Sequence, residues 1–207
     1  IEKILQEIRN LQRTEIAEVS EAFDSEKQVG SSTMAHKRNP ITSENACGLA
    51  RIVRSMIIPS YENALLWHER DLANSSSERF TLSHSMILLD DIVSKCNIVL
   101  SKAVVDSGRM SENIESQKGL IMAEKIMLEL VERGMPRDLA HEELRKASLD
   151  AVNRDAHLME SCSGMKSITD LIDEGSLASF FDPRTHLGSS GEIVENAVKI
   201  ARERCSQ

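Results

Sequence analysis

Aromatic residues are scarce: one Trp, one Tyr and four Phe make up 3% of the 207 residues. Apolar character rests instead on Leu, Ile, Val, Ala and nine Met, the fillers of helix–helix cores rather than of sandwiches or barrels. Glycine and proline are also few, at nine and four, so long stretches run without punctuation. With 41% hydrophobic and 28% charged residues, this excludes a disordered or low-complexity chain and predicts an all-α protein. The longest apolar runs, Met56-Ile57-Ile58 and Met86-Ile87-Leu88-Leu89, fall far short of the ~20 residues that span a bilayer. Cys47, Cys96, Cys162 and Cys205 are widely separated, without a CxxC pair or a signal-peptide pattern, and a reducing cytoplasmic setting is expected. Positive charge is in deficit, 25 Lys and Arg against 33 Asp and Glu for a net charge of -8. No nucleic-acid or membrane partner is therefore expected, and an anionic ligand must meet a local basic cluster. Histidines and carboxylates show no HExxH or similar spacing, so no metal is expected.

What is present is helix periodicity. The chain opens directly on Ile1-Glu2-Lys3-Ile4-Leu5-Gln6-Glu7-Ile8, with neither a capping residue nor an initiator Met, and reads as a piece of something longer. Ile1, Ile4, Leu5, Ile8, Leu11, Ile16 and Val19 predict one amphipathic helix ending near Ser20. Thr42 or Ser43 can cap the next helix, with Glu44 in its first turn and a kink at Pro59 on the way to Leu66. A third long helix follows the polar knot Trp67-His68-Glu69-Arg70-Asp71. Three long helices in the first half imply an elongated bundle. Another helix runs from Ser111 to Glu132, closed by Arg133-Gly134 and restarted at Pro136. Shorter helices over 139–152, 168–172 and 177–181, and a last one over 192–201 behind Ser189 or Ser190, look like a small helical domain. The expected organisation is a bundle part over 1–115 and a C-terminal helical domain over 116–207.

Between Asp24 and Pro40 the periodicity vanishes, and an irregular loop of that length in a compact domain is usually functional. Gly30-Ser31-Ser32-Thr33-Met34 joins a residue free to take positive φ to hydroxyls and consecutive N–H groups, the makings of an anion cradle or simply of a Ser-rich turn. His36-Lys37-Arg38-Asn39-Pro40 adds two cations, an imidazole and an amide, a set suited to a carboxylate. A serine can act as a base only where donors and cations stabilise its alkoxide and water is excluded. His36 and His68 are candidate acid/base groups, although isolated histidines are more often structural or solvated. Arg51 and Arg54, one turn apart, are open between a solvated and an intersubunit face.

The run Gly-Ser-Ser-Thr-Met-Ala-His-Lys-Arg-Asn-Pro resembles the signature loop of the fumarase/aspartase superfamily, whose members eliminate fumarate from succinyl-type substrates. The preceding Leu11-Gln12-Arg13-Thr14-Glu15-Ile16, the later Ser75-Ser76-Ser77-Glu78-Arg79, and Phe181-Asp182-Pro183 with His186-Leu187 are most similar to its purine-nucleotide branch, so the likeness covers essentially the whole chain. This resemblance implies a small-molecule purine nucleotide substrate, release of fumarate and no cofactor. It implies Ser31 as the base, with Glu44 orienting a catalytic histidine, and Ser32, Lys37 and Asn39 holding the succinyl carboxylates. Arg70, Ser75 and Arg79 match positions that contact the nucleotide and its phosphate. It further implies a homotetramer with active sites shared between subunits, and a general-acid histidine in an upstream half that does not map onto this chain. Apolar stretches such as 49–58 fit burial between subunits. Ala35 stands where the family loop usually has Pro, which would loosen the loop. The alternatives are a carboxymuconate cycloisomerase, which shares a similar loop, and a catalytically incomplete helical scaffold.

Overall fold

The computed structural model describes residues 1–22 and 38–206. The chain divides into two compact units, Ile1–Glu112 and Asn113–Gln207. The expected all-α class is what is found: among the described residues the only strands are a two-residue antiparallel pair, β1 (Val19–Ser20) against β2 (Val104–Val105). No helix of the described residues is long and apolar enough to cross a membrane.

In the first unit, α1 (Glu2–Leu11) buries Leu5 and Ile8. It packs against α2 (Ile41–Ser55), whose Ala46 and Cys47 share the core with Ile92, Cys96 and Val99 of a later helix. α1 stops well short of Ser20. The Ile16 and Ala17 N–H groups both donate to the Arg13 carbonyl, at 2.9 and 2.7 Å, Ala17 takes φ 56, and the chain turns into β1. Ile16 and Val19 keep helical spacing, but pairing with a segment far along the chain overrides local propensity. α2 gives way at Met56 to α3 (Ile57–Glu62), because Pro59 has no N–H for the Ser55 carbonyl and its ring crowds that carbonyl. α3 ends at Glu62, short of the expected Leu66. α4 (Ala73–Lys102) is the long third helix. The stretch from α3 to mid-α4 leaves large apolar groups in the open, including Ile58, Tyr61, Phe80 and Met86, with Leu65 82% and Trp67 78% exposed.

The unit boundary falls within α5 (Ser107–Glu115). The single helix expected over 111–132 is broken where Lys118 and Gly119 take φ 48 and 76; a 3-10 turn over Leu120–Met122 then leads into α6 (Ala123–Glu132). Gly134 at φ 99 and Pro136 mark the next junction as read, and α7 (Arg137–Arg154) follows. α8 (Leu158–Ser163), α9 (Lys166–Thr169) and α10 (Glu174–Phe180) close a core of Ile126, Leu130, Leu144, Leu158, Ile168 and Ile172. α11 (Ser190–Cys205) has no buried residue, and Ser189 at its N-cap makes no side-chain capping bond.

Glu143 is the buried carboxylate of this second unit. It accepts from Lys146 Nζ at 2.8 Å and from the Ser167 hydroxyl, and these hydrogen bonds outweigh burial and hold its carboxyl below the usual range. A group whose folded pKa is depressed contributes stability above its unfolded pKa, near 4.3, and loses it as pH falls through the folded value. Thermal melts between pH 7 and pH 3 should therefore show Glu143→Gln flattening the acid-side fall in stability. A variant that destabilises equally at every pH would overturn this.

Candidate functional site

Of the expected site residues, Ser31, Ser32 and Lys37 lie outside the described residues, as do Ala35 and His36. The others fall into two clusters. The first is the N-terminus of α2, where Asn39 is half-buried and Glu44 sits exposed in the first turn. The capping expected of Thr42 or Ser43 is not found: Pro40 occupies the N-cap, and neither hydroxyl caps the helix. The work is done by Glu21. Its carboxylate accepts the N–H of Thr42 at 3.2 Å through Oε2 and of Ser43 at 2.6 Å through Oε1. Gln12, at the C-cap of α1, accepts the Glu21 N–H at 3.0 Å and donates to the Arg38 carbonyl at 3.2 Å. Sequence reasoning missed both residues. The available signal was negative: Pro40 brings no side-chain acceptor, so the orphan N–H groups of α2 had to be satisfied from elsewhere.

The second cluster lies at the start of α4. Asp71 accepts the N–H groups of Trp67 and Ala73, both at 2.9 Å, which holds its carboxyl below the usual range and closes the turn in which His68 takes φ 47. Arg70 is exposed in this turn, Ser75 is half-buried in the first turn of α4, and Arg79 is exposed one helical turn on. Ser75 and Arg79, four residues apart, share a helix face. Guanidinium, hydroxyl and a helix N-terminus together suit a phosphate.

The two clusters are far apart within one chain. Asn45, next to Glu44, accepts from Lys95 Nζ at 2.6 Å, so the start of α2 lies beside the later half of α4. At 1.5 Å per residue, Arg79 is ~24 Å and Ser75 ~30 Å back along that helix. Asn39 and Glu44 thus fall at the start of α2, and Arg70, Ser75 and Arg79 at the start of α4, with the two groups well separated along α4. Arg51 and Arg54 both pair with Glu2, Arg51 at 3.9 Å. Thiol chemistry has little support: Cys47, Cys96 and Cys162 are buried, and burial pushes the Cys162 thiol up to about 12.

Residues 1–55 match the family model described as Lyase, and residues 119–197 match that of the adenylosuccinate lyase C-terminus. Among solved structures, the 3-carboxy-cis,cis-muconate lactonizing enzyme of Pseudomonas putida is 27% identical with a TM-score of 0.84, over 96% of this chain and 43% of that one. A fumarate lyase of Mesorhizobium sp. BNC1 is 26% identical with a TM-score of 0.82, over 94% and 42%. The likeness is closer to adenylosuccinate lyases: that of Methanothermobacter thermautotrophicus is 45% identical over 98% of this chain and 45% of the relative, and that of Archaeoglobus fulgidus 42% identical over 98% and 46%. The resemblance to the fumarase/aspartase superfamily, and within it to adenylosuccinate lyases, thus extends along nearly the whole chain. It spans about half the length of the curated relatives it matches.

Proposed function

We propose that this chain supplies part of a lyase that eliminates fumarate from adenylosuccinate to leave AMP, and from succinylaminoimidazole-carboxamide ribotide to leave its carboxamide. The observation that carries this reading is the 42–45% identity to adenylosuccinate lyases over 98% of the chain. The lower identity to muconate-acting structures, 27%, favours it over a cycloisomerase. Ser31 takes the proton from the succinyl β-carbon. The electron pair moves into the adjoining carboxylate, which Lys37 and Asn39 stabilise as the aci form with Ser32 at the same group. It then returns to form the fumarate double bond as the C–N bond breaks, and an acid outside this chain protonates the leaving nitrogen. Glu44 orients the histidine that faces this centre, while Arg70, Ser75 and Arg79 hold the nucleotide.

Half-sites separated by ~24 Å or more along α4 support a homotetramer in which different copies contribute the two clusters, and the exposed apolar groups of α3 and α4 support burial between those copies. The four free thiols suit a cytoplasmic enzyme. The test follows fumarate release from adenylosuccinate by this chain mixed with the N-terminal half of the Methanothermobacter relative. Release that requires both halves, is competed by AMP and comes from a species of four copies is the expected result. A mixture folded and assembled but silent would overturn the reading.

A further inference from the structure

The N-terminus of α2 is tied to the end of α1 by side chains, and the tie encloses both borders of the segment that carries Ser31 and Lys37. Gln12 holds the Glu21 N–H on one side and the Arg38 carbonyl on the other. Glu21 in turn takes the Thr42 and Ser43 N–H groups. Glu21 itself is fixed from behind. It follows β1 directly, β1 is laddered to β2, the Asp106 N–H donates to the Glu18 carbonyl at 2.9 Å, and Arg109 donates to the carbonyls of Ile16 and Glu15 at 3.1 and 3.3 Å. A rigid line thus runs from the end of α4 through β1 to the start of α2. Asn39 sits next to Arg38 and two residues before α2, inside that tie.

The arrangement also has an electrostatic consequence. Free N–H groups at the start of a fifteen-residue helix would attract an anion. Here two of them are filled by the protein's own carboxylate, so a dianionic succinyl group is steered to side-chain donors instead of to the helix end.

We propose that Gln12 and Glu21 are positioning residues: they set the place of Asn39 and of the segment's two borders, and Glu21 keeps substrate carboxylates off the α2 terminus. This rests on the fumarate-releasing reading above. Neither residue touches substrate, so their removal should act on the rate of the chemical step more than on binding. In the complemented mixture, Glu21→Ala and Gln12→Leu should each lower kcat about thirty- to a hundredfold, with KM changed less than about threefold, because misplacement of ~1 Å costs on that order. The double variant should lose little beyond either single one, because both act through one tie. Glu21→Gln, which keeps one acceptor oxygen for two donors, should recover part of the loss. Amide hydrogen exchange on the 207-residue chain provides a readout independent of activity: both single variants should speed exchange at Thr42 and Ser43 about tenfold or more while leaving α7 unchanged.

Unchanged exchange at Thr42 and Ser43 would overturn the tie itself. Faster exchange with kcat unaltered, or losses that multiply in the double variant, would overturn the positioning role. A wild-type mixture that releases no fumarate would instead bring down the functional reading, and the catalytic part of this inference with it, whatever the exchange data say.

Discussion

On the proposed mechanism, Ser31→Ala should lower fumarate release by the complemented enzyme about a thousandfold, within the 10²- to 10⁴-fold range that positioned proton transfer contributes. In the proposed substrate the proton to be removed sits on a carbon next to a carboxylate, and a neutral serine hydroxyl is far too weak a base to take it. Its alkoxide must be stabilised before the substrate's carbanion is, and the residues able to do that are close in sequence: Lys37 with a full charge and Asn39 with an amide donor. Lys37→Met should therefore raise the barrier by roughly 3 kcal/mol and slow release by about two powers of ten, while Ser32→Ala, which leaves the base and the cation in place, should be much milder. The measurement is the initial rate of fumarate appearance at saturating adenylosuccinate, with fluorescence titration of AMP to verify that the nucleotide still binds. A Ser31→Ala mixture that keeps the parent rate, or Ser32→Ala falling further than Ser31→Ala, would remove the assignment of the base.

How much of this could be read from the residues depended on whether the determining contact was local. The junction at Gly134 and Pro136 was legible because its signal is chemical and lies within three residues: Gly134 takes φ 99, and Pro136 precedes α7. The long α4 was legible for the same reason, as thirty residues without glycine or proline leave little else to form. The end of α1 was not, because Ile16 and Val19 satisfy helical spacing while their fate is decided by β2 and Arg109, some ninety residues away. The cap of α2 was hidden similarly: Thr42 and Ser43 are good capping types, but Glu21 reaches their N–H groups from across a loop. The candidate site divides along the same line. The family resemblance implies Asn39, Glu44, Arg70, Ser75 and Arg79 as one set, and only the geometry of α4 separates them into two groups ~24 Å or more apart. That separation is what links the proposed nucleotide substrate to the proposed assembly, because a molecule of nucleotide size would not bridge the gap within one copy.

Gly119→Ala is expected to cost the second unit about 3 kcal/mol, from two sources that can be measured apart. The first is conformational: Gly119 takes φ 76, and a side chain there adds roughly 1–2 kcal/mol. The second is space. A Cβ on Gly119 would lie 2.5 Å from His157 Cε1 and 2.8 Å from Phe181 Cε1, and forcing a methyl group into a filled core adds about 1–3 kcal/mol. Neither ring can move away freely. His157 is the N-cap of α8, its Nδ1 accepting the Met159 N–H at 3.1 Å, and it meets Phe181 edge-on with ring centroids 5.1 Å apart. The backbone is held from the other side as well, since the Lys118 carbonyl accepts the Leu158 N–H at 2.9 Å and Lys118 Nζ reaches the Asp155 carbonyl at 2.7 Å. Gly134 is the control: at φ 99 with no atom within 4 Å of an added Cβ, Gly134→Ala carries the backbone cost without the clash. Urea unfolding followed by helix circular dichroism should give a midpoint for Gly119→Ala well below that of Gly134→Ala, with the slope unchanged. Phe181→Leu, which withdraws one of the two crowding rings, should shrink the gap when combined with Gly119→Ala. Equal midpoints for the two alanine variants would mean that the rings yield at no cost and that Gly119 serves the turn alone.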